Sequence, residues 1–396
     1  MQPVRVLSIA GSDSGGGAGI QADIKTITMM GGHAMTAITA LTAQNSQGVS
    51  AIAPTDPDMV AAQIDVVTGD IGVDAIKIGM LGSATIAAVV ADRLEKLPKM
   101  PVVFDPVMVA TSGAALADDD TIAAFDRLLA LATVTTPNLP ELEILGGEAA
   151  MRGKCRALLI KGGHGAHGAP EDLPVVAGPD IDLLEDRLVT DSGQAAMLGK
   201  RIATPHTHGT GCTLSSAIAV GLGQGHELFD AVMIARDFVR LALHDAPDLV
   251  DDNGPMGHQT VRNDAVLPGP LFNQVTLDCT NYDASVTFYT ELGLTHIVDD
   301  PPSYARFEAP NGATLSLHEA EMVSASAALY FEFPDVDKAV EKLRKNGWAF
   351  DGNPEHKSWK WREAWTTDPS GHRICLYHAG ENRRYPPWRI GWNIAT

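Results

Sequence analysis

Short apolar segments alternate with helix-like stretches through the first 160 residues, and this alternation constrains the fold more than any other feature. Ala/Leu-rich stretches with helical spacing, such as 83–97 and 119–132, separate strand-like runs at 4–10, 74–79, 101–105, 133–136 and 157–161. Strands that alternate with helices pair in parallel, and the helices cover both faces of the sheet. Because ligands bind beyond the carboxyl ends of such strands, the pattern predicts an α/β domain with a site at that edge.

The 396 residues are enough for two domains of roughly 250 and 120 residues. Helical stretches at 211–222 and 228–245 are followed by a segment, 246–270, that is rich in Pro, Gly, Asp and Asn and lacks apolar periodicity, which is typical of a linker. Tryptophans and tyrosines are concentrated beyond it, with strands and helices predicted at 271–277, 283–292, 329–333 and 335–346. We expect a first domain at 1–260, a linker at 261–270, a second domain at 271–380 and a tail at 381–396.

A formal net charge of −20 argues against binding to nucleic acid or an anionic membrane, since both are polyanions. The four cysteines form no C-x-x-C pair, which disfavours a zinc ribbon, and they are too sparse for a disulfide scaffold. The apolar run at the N-terminus is too short for a signal peptide, and no run approaches the roughly 18 residues of a membrane span. We therefore expect a cytoplasmic protein with small-molecule partners.

A glycine-rich segment, Gly11 to Asp23, follows the first strand. Glycines between a strand and a helix let a ligand approach the backbone and leave helix N–H groups free for an anion. A dinucleotide fold would need an acidic residue about 20 positions on, yet none lies between Asp23 and Asp56. No Gly-Lys-Ser/Thr follows, so the segment is not a P-loop. Alone, it predicts only that a ligand approaches here.

A second motif, His208 to Cys212, stands immediately before an apolar helix. Small residues at 209–211 expose N–H donors at the helix start, where the dipole adds positive potential. That arrangement suits a phosphoryl group in transfer. A lowered thiol pKa would let Cys212 accept a proton from a substrate hydroxyl. From these five residues alone, a capped helix with a small buried cysteine is an equal alternative.

Carboxylate and amide side chains follow two other strands. Asn138 and Glu141 are three residues apart, so they could hold a hydrated Mg²⁺ beside phosphates. They could equally form an N-capped helix start. Asp105, at the end of a further strand, could orient a metal-bound water or cap its turn.

Lys161 ends a strand and is followed by Gly162 and Gly163. A lysine there could contact nucleotide phosphates, with the glycines allowing a close approach. A simple strand-ending turn explains the same residues.

Residues 1–260 resemble the hydroxymethylpyrimidine/phosphomethylpyrimidine kinases of the ribokinase-like superfamily, through AGSDSGGGAGIQADIKT, ITALTAQNSQGV, KIGML, DPVM, TPNLPE, KGGH and HGTGC, in family order. The resemblance implies a three-layer sandwich with a mostly parallel central sheet, ATP and Mg²⁺ as cofactors, and a homodimer. It implies transfer of the ATP γ-phosphoryl group to 4-amino-5-hydroxymethyl-2-methylpyrimidine. A second transfer, to the monophosphate, would give the diphosphate used to make thiamine.

The same resemblance assigns roles to individual residues. It implies that Gln44 hydrogen-bonds the aminopyrimidine, that the backbone of Val107 assists, and that Asp23 and Gly11 line the substrate pocket. Most ribokinase-like enzymes carry an aspartate where this chain has Cys212, and cysteine is what the pyrimidine branch uses.

Three other functions compete with this one. The first is a pyridoxal-type vitamin kinase. The occurrence of Gln44 directly before Asn45, in the sequence context of the pyrimidine kinases, disfavours it. The second is a decayed kinase that senses a pyrimidine or thiamine; the segment 141–161 motivates it, being shorter than is usual in the family by about one helix. Retention of Asn138, Lys161 and Cys212 opposes it. The third places the main activity in the second domain, as a dioxygenase or isomerase.

Residues 271–378 resemble the glyoxalase/bleomycin-resistance/dioxygenase superfamily, through VTLDCTNYDASVTFYTELGL, ALYFEFPDVDKAVEKLRKNGW and TTDPSGHRICLYH. This resemblance implies an α+β vicinal-oxygen-chelate domain of paired βαβββ modules. Metal-dependent members present two histidines and two glutamates, and the corresponding positions here are Gln274, Ser316, Ala328 and Cys375.

Because alanine cannot ligate and the last glutamate is missing, we expect a metal-free binding module. The tryptophans at 359, 361 and 365 suit a flat organic ligand. A metal enzyme that uses His318, Cys375 or His378 is one alternative, and a scaffold without a ligand is another.

Overall fold

The computed structural model describes residues 2–109, 116–162, 183–261, 274–310, 312–323, 328–333 and 335–379. The chain divides into two units, Met1–Pro268 and Gly269–Thr396, and each unit has its own hydrophobic core. The division falls inside the predicted linker at 261–270. Within the described ranges, no helix is long and apolar enough to cross a membrane.

An eight-stranded sheet forms the centre of the first domain. The strands of this domain are β1 Arg5–Ala10, β2 His33–Ile38, β3 Ala40–Asn45, β4 Gly48–Pro54, β5 Ala75–Ile78, β6 Val102–Phe104, β7 Val134–Thr135, β8 Ala157–Ile160, β9 Leu183–Thr190 and β10 Gly193–Lys200. The order across the sheet is β10-β9-β8-β7-β6-β5-β1-β2, while β3 and β4 pair separately. Neighbours from β2 to β8 are parallel, whereas β9 is antiparallel to β8 and β10.

Helices cover both faces of this sheet. They are α1 Gly19–Met29, α2 Pro57–Asp70, α3 Ala84–Leu94, α4 Asp119–Ala123, α5 Phe125–Leu131, α6 Leu139–Ile144, α7 Gly147–Arg152, α8 Thr210–Gly223 and α9 Leu228–His244. One core packs α2, α3 and α5 on the sheet, and the other packs α1, α8 and α9. Strands β5 and β8 are buried at every residue, as strands covered on both faces must be.

The structure confirms the predicted three layers and mostly parallel sheet, but it corrects the assignment of 246–270 as a linker. Met256 and Val261 lie in the core of the first domain. His258 is fully buried, with Nε2 2.8 Å from Thr213 Oγ1, and burial lowers its pKa to about 4. The part of this segment that the structure describes, 246–261, lacks apolar periodicity because it is irregular chain that packs against the first domain.

The second domain contains two modules with the same order of elements. The first has β11 Gln274–Cys279, α10 Tyr282–Leu292, β12 Thr295–Asp300, β13 Tyr304–Glu308 and β14 Thr314–Glu319; the second has β15 Ala328–Glu332, α11 Val336–Lys345, β16 Glu355–His356, β17 Arg362–Thr367 and β18 Arg373–His378. Their sheets have the equivalent orders β11-β14-β13-β12 and β15-β18-β17-β16. Residues of both modules share one core. The predicted paired βαβββ architecture is confirmed.

Candidate active site

A cleft of about 760 Å³ opens at the carboxyl ends of the parallel strands of the first domain. The predicted site residues that line it are Gly11, Gln44, Asp105, Val107, Asn138, Glu141, Lys161, Gly209, Thr210, Gly211 and Cys212. Asp23 and Gly162 do not line it, and Gly163 lies outside the described residues. Motifs up to 200 positions apart in the chain thus meet at one edge of the sheet.

The glycine-rich loop after β1 is organised by its own carboxylate. Asp13 is buried and accepts hydrogen bonds from the N–H groups of Gly15, Gly17 and Ala18, at 2.8 to 3.0 Å. Burial would raise the pKa of this carboxyl, but His208 and the backbone donors hold it below its ordinary value. These three N–H groups are therefore not free for an anion, contrary to the expectation for such a loop.

His208 connects this loop to the predicted pyrimidine contact. Its Nε2 lies 2.9 Å from Asp13 Oδ2 and 3.4 Å from Gln44 Nε2. Gln44 is on β3, and its Oε1 accepts a hydrogen bond from Thr42 at 3.1 Å. The His208 Nε2 can carry only one N–H, and the Asp13 carboxylate accepts it, so the Gln44 amide contacts the ring without a hydrogen bond to it. The Thr42 hydroxyl is the neighbour that orients the Gln44 side chain. Sequence analysis gave His208 and Asp13 no role of their own.

Asp23 does not contact the cleft, contrary to expectation, because its carboxylate is fully buried. It binds Lys77 Nζ at 2.8 and 2.9 Å and accepts a hydrogen bond from Ser216 at 2.7 Å. Lys77 lines the cleft in its place. Burial disfavours the charged lysine, but Asp23, Cys212 and Asp105 raise its pKa above the ordinary value. The sequence signal for this buried ion pair was the single lysine inside the otherwise apolar strand β5.

A second ion pair lies at the ends of β6 and β8. Lys161 Nζ is 2.8 Å from Asp105 Oδ1, which also accepts a hydrogen bond from Thr136 at 3.0 Å. Glu141 Oε2 is 4.0 Å from the same ammonium group. Burial works against a charged Lys161, but Asp105 and Glu141 hold its pKa above the ordinary value. The lysine is thus a fixed positive charge in the cleft.

Asn138 and Glu141 form a capping box at the start of α6. Asn138 Oδ1 accepts from the Glu141 N–H, and Glu141 Oε2 accepts from the Asn138 N–H, both at 2.8 Å. Burial raises the pKa of the Glu141 carboxyl, Lys161 opposes that effect and Asp105 adds to it. Asn138 and Glu141 therefore cap the helix, as one interpretation predicted, and they also line the cleft, where the other interpretation places a magnesium site.

The oxygen donors here suit a hydrated Mg²⁺ better than a bare one. In the part of the chain that the structure describes, no three His, Cys, Asp or Glu side chains are grouped to hold a metal. Asp105 and Glu141 supply two carboxylates, each already bonded within the protein. Mg²⁺ commonly keeps several waters and takes its remaining ligands from one or two carboxylates and substrate phosphates.

The start of α8 forms the other wall of the cleft. Gly209 has φ +87°, and a Cβ there would lie 1.9 Å from the carbonyl oxygen of Gly17, so only glycine fits. The first N–H groups of a helix have no intrahelical acceptor. Among the described residues, none accepts from the N–H of Gly211 or Cys212. These two donors and the positive end of the helix dipole are available to an anion.

The thiol of Cys212 does not have the lowered pKa that would let it act as a base. Burial raises the pKa of its thiol to about 11, with Asp23 and Asp105 adding to the effect and Lys77 opposing it. The helix start and the lysine therefore do not outweigh burial and two carboxylates. At neutral pH the side chain is a thiol, so the expected ready-made base is absent.

The far end of the cleft is lined by residues that sequence analysis missed. Apolar side chains from β9, α9 and the segment after β10 lie beside arginines of α9; they are Leu184, Ile202, Val239, Leu243, Arg236 and Arg240. Arg236 Nε donates to Asp186 at 2.9 Å, and Asp186 also accepts from the Gly162 N–H at 3.0 Å. Gly162 is thus bonded to this strand and does not face a nucleotide as predicted. The sequence signal for this part of the cleft was the spacing of Arg236 and Arg240, which places both arginines on one side of α9.

The mostly parallel α/β sheet, the lysine–carboxylate pairs and the open helix start beside one cleft are the arrangement expected of a small-molecule phosphotransferase of the ribokinase-like class. Residues 13–257 match the family model described as phosphomethylpyrimidine kinase. The match covers more than half of the chain, which therefore belongs to the phosphomethylpyrimidine kinase family.

Named relatives agree with this assignment. The chain is 43% identical over 269 residues to the hydroxymethylpyrimidine/phosphomethylpyrimidine kinase of Rhizobium meliloti, covering 64% of this chain and 96% of that protein. It is 42% identical over 267 residues to the thiamine biosynthesis bifunctional protein ThiED of Geobacter sulfurreducens, covering 64% of this chain and 52% of that longer protein.

Solved structures resemble the first domain. A phosphomethylpyrimidine kinase from Clostridium difficile has a TM-score of 0.50 and 34% identity, covering 60% of this chain and 99% of that one. An ADP complex of Bacillus subtilis pyridoxal kinase has a TM-score of 0.55 and 31% identity, covering 65% and 98%. Residues 271–376 match the Glyoxalase/Bleomycin resistance protein/Dioxygenase superfamily, which confirms the second resemblance.

The four positions of the second domain that correspond to metal ligands occupy equivalent places in the two modules. Gln274 pairs with Thr314, two residues before Ser316, and Ala328 pairs with Arg373, two residues before Cys375. Gln274 Nε2 is 3.4 Å from Ser316 Oγ. Burial raises the pKa of the Cys375 thiol to about 12, and Glu363 adds to the effect. That these positions bind no metal stays a prediction.

The alternative ligands His318 and His378 are both exposed. His378 Nδ1 lies 3.0 Å from the carbonyl oxygen of Phe333. Neither belongs to a group of three or more metal-binding side chains among the described residues.

Proposed function

We propose that the first domain transfers the γ-phosphoryl group of ATP to the hydroxymethyl oxygen of 4-amino-5-hydroxymethyl-2-methylpyrimidine, and then to the monophosphate so formed. One observation carries the proposal: the cleft contains the Lys161–Asp105 pair, the open start of α8 and Gln44 together. Its relatives of known name phosphorylate this kind of substrate. The fused second domain is a separate small-molecule-binding module.

The pyrimidine lies at the Gln44 end of the cleft. An amide side chain offers both a donor and an acceptor, which matches the edge of an aminopyrimidine. The Val107 N–H already bonds to the Asp105 carbonyl at 2.8 Å, so its carbonyl is the group that it offers a substrate amine. Gly11 leaves room beside Met80, whose sulfur would lie 3.0 Å from a Cβ there.

The phosphates lie between Lys161 and the start of α8. Negative charge develops on the oxygens of the transferred phosphoryl group in the transition state. Hydrogen-bond donors already in place there stabilise this charge without reorganising. The N–H groups of Gly211 and Cys212 supply such donors. Asp105 and Glu141 would hold Mg²⁺ through water, and a bound Mg²⁺ would neutralise phosphate charge.

Cys212 acts in its neutral form. The transition state of phosphoryl transfer is loose in most analyses, so the attacking hydroxyl needs little prior deprotonation. A thiol whose pKa is about 11 then helps to shape the anion site and donates a weak hydrogen bond. As the new oxygen–phosphorus bond forms and the bond to ADP breaks, the hydroxyl proton leaves late and passes to an oxygen of the transferred phosphoryl group.

The test is ADP release by the full chain with ATP and Mg²⁺, comparing hydroxymethylpyrimidine, its monophosphate and pyridoxal. Turnover of both pyrimidines is the expected result. Turnover of pyridoxal alone would replace the proposal with a vitamin B6 kinase, which the likeness to pyridoxal kinases makes the second candidate. If none of the three compounds is phosphorylated, the proposal is replaced by the alternative of a decayed kinase that senses a pyrimidine or thiamine.

The Mg²⁺ requirement, the homodimer and the cytoplasmic location stay predictions. Dependence of the same assay on Mg²⁺ tests the first, and sedimentation of the full chain tests the second.

A further inference from the structure

One face of the second module's sheet carries an unusual set of side chains. Trp361, Glu363 and Trp365 stand at alternate positions at the start of β17 and along it, so their side chains project to the same side of the sheet. Trp359 lies in the turn before β17, and its indole N–H contacts Glu363 on that side. Pairing across the sheet adds Tyr330, Cys375 and Tyr377 to this side. The intervening residues Ala364, Ile374 and Leu376 face the opposite way, into the hydrophobic core.

The rings on this face contact one another, and all but the buried Tyr377 keep part of their surface open to solvent. Trp361 stacks on Tyr377 with centroids 4.6 Å apart, and Tyr330 meets Trp365 edge-on at 5.4 Å. Tyr330 is 50% exposed and Trp359 is 43% exposed. We call these five rings, Tyr330, Trp359, Trp361, Trp365 and Tyr377, the aromatic face.

Glu363 lies beneath the aromatic face and is only 3% exposed. Its two oxygens accept hydrogen bonds from the indole N–H groups of Trp359 and Trp365. Among the described residues it forms no ion pair. Two cations of this sheet have other partners, since Lys357 pairs with Glu355 at 2.9 Å and Arg373 with Asp351 at 2.6 Å. Glu363 acts on Lys357 only as a minor, longer-range charge.

Buried carboxylates are normally paired with a cation, because two neutral donors offset only part of the desolvation cost. Aromatic ring faces attract cations as well, and the Arg373 guanidinium already lies 5.1 Å from the centre of the Trp365 ring. An anionic or neutral ligand would leave the negative charge of the Glu363 carboxylate without a partner of opposite charge. The same surface therefore favours a ligand that is both flat and positively charged.

We propose that the aromatic face binds a small organic cation with a planar heteroaromatic ring, which stacks on the exposed rings and places its positive charge near Glu363. This proposal does not depend on the kinase activity. It goes further than a metal-free binding module by assigning a charge and a shape to the ligand.

Indole fluorescence of the full chain is a direct assay, because all six tryptophans lie beyond residue 340 and the kinase domain contains none. Thiamine is the probe, since it joins a cationic thiazolium to a pyrimidine. Neutral hydroxymethylpyrimidine tests the need for charge, and tetramethylammonium tests the need for a ring. We expect saturable quenching by thiamine, with both other compounds binding at least about tenfold more weakly.

Glu363→Gln should weaken thiamine binding about tenfold, because it removes the charge while keeping the side-chain size. The matched control is Glu341→Gln, which removes an exposed charge paired with Lys345 on α11 and should leave binding unchanged. If Glu363→Gln fails to fold, Tyr330→Leu replaces it, since that ring is half exposed and its removal should also weaken binding. Unsaturable quenching, equal binding of the neutral pyrimidine, or an unchanged Kd in the variant that folds would overturn the proposal.

Discussion

Replacing Gly209 with alanine tests whether the start of α8 holds the transferring phosphate. The residue has φ +87°, where an alanine costs about 1–2 kcal/mol. The new Cβ would also lie 1.9 Å from the Gly17 carbonyl oxygen. Since non-bonded carbon contacts favour about 3.5 Å, the two segments must separate by about 1 Å or more. A misplacement of about 1 Å in a catalytic group can cost about 100-fold in rate.

We therefore expect Gly209→Ala to lower kcat for ADP release about 100-fold, with a smaller effect on KM for the pyrimidine. Gly225→Ala is the matched control, because Gly225 has φ +89° but no atom within 4 Å of an added Cβ. It should lose a similar amount of backbone stability in thermal unfolding and keep its kcat. If Gly209→Ala turned over as fast as Gly225→Ala, the amides at the start of α8 would not be part of the catalytic site.

Three further substitutions test the other parts of the cleft. Cys212→Ala should lower kcat more than it raises KM, and kcat/KM of the parent should not rise between pH 7 and 9, because the thiol pKa is about 11; an inflection near pH 8.5 that the variant lacks would instead make Cys212 the base. Gln44→Ala should weaken pyrimidine binding in a calorimetric titration by about 1–3 kcal/mol, the cost of an unmade buried hydrogen bond, while ATP binding stays constant; an unchanged titration would remove the proposed ring contact. Lys77→Met should destabilise the first domain to urea by about 3–5 kcal/mol, because Asp23 is left buried without its cation, and adding Asp23→Leu should restore part of that loss; no rescue would mean that lost packing, not the unpaired charge, accounts for the effect.

The parallel sheet was predictable because its signal is local. The runs at 74–79 and 157–161 became β5 and β8 with boundaries shifted by a single residue, since fully buried strands leave a continuous apolar pattern. The hairpin of β3 and β4 was missed. Its residues at 48–54 are half-buried or exposed throughout, so they leave no alternation of buried and exposed positions to detect. Burial of 254–261 was missed for a related reason, because irregular segments have no period to detect.

The candidate site was predictable as far as its motifs stand at strand ends and helix starts. Topology then brings Asp105, Asn138 and Lys161 to one edge without further information. Pairing between distant side chains was not predictable. Asp23 was expected in the pocket because the family resemblance implies it, yet its partner Lys77 is 54 positions away and decides where both side chains point. The same limitation hid the arginines of α9.

The contacts of His208 restrict how this active site can diverge. Asp13, His208 and Gln44 contact one another in turn, from the glycine-rich loop to the proposed substrate end of the cleft, and His208 directly precedes Gly209, where the proposed phosphate-binding turn begins. We therefore expect a mutation that refits the proposed ring pocket at Gln44 to disturb the packing of His208 beside the proposed phosphate-binding turn. We expect new ring specificities to arise at lower cost at Met80 and Val107, which line the same cleft outside this set of contacts.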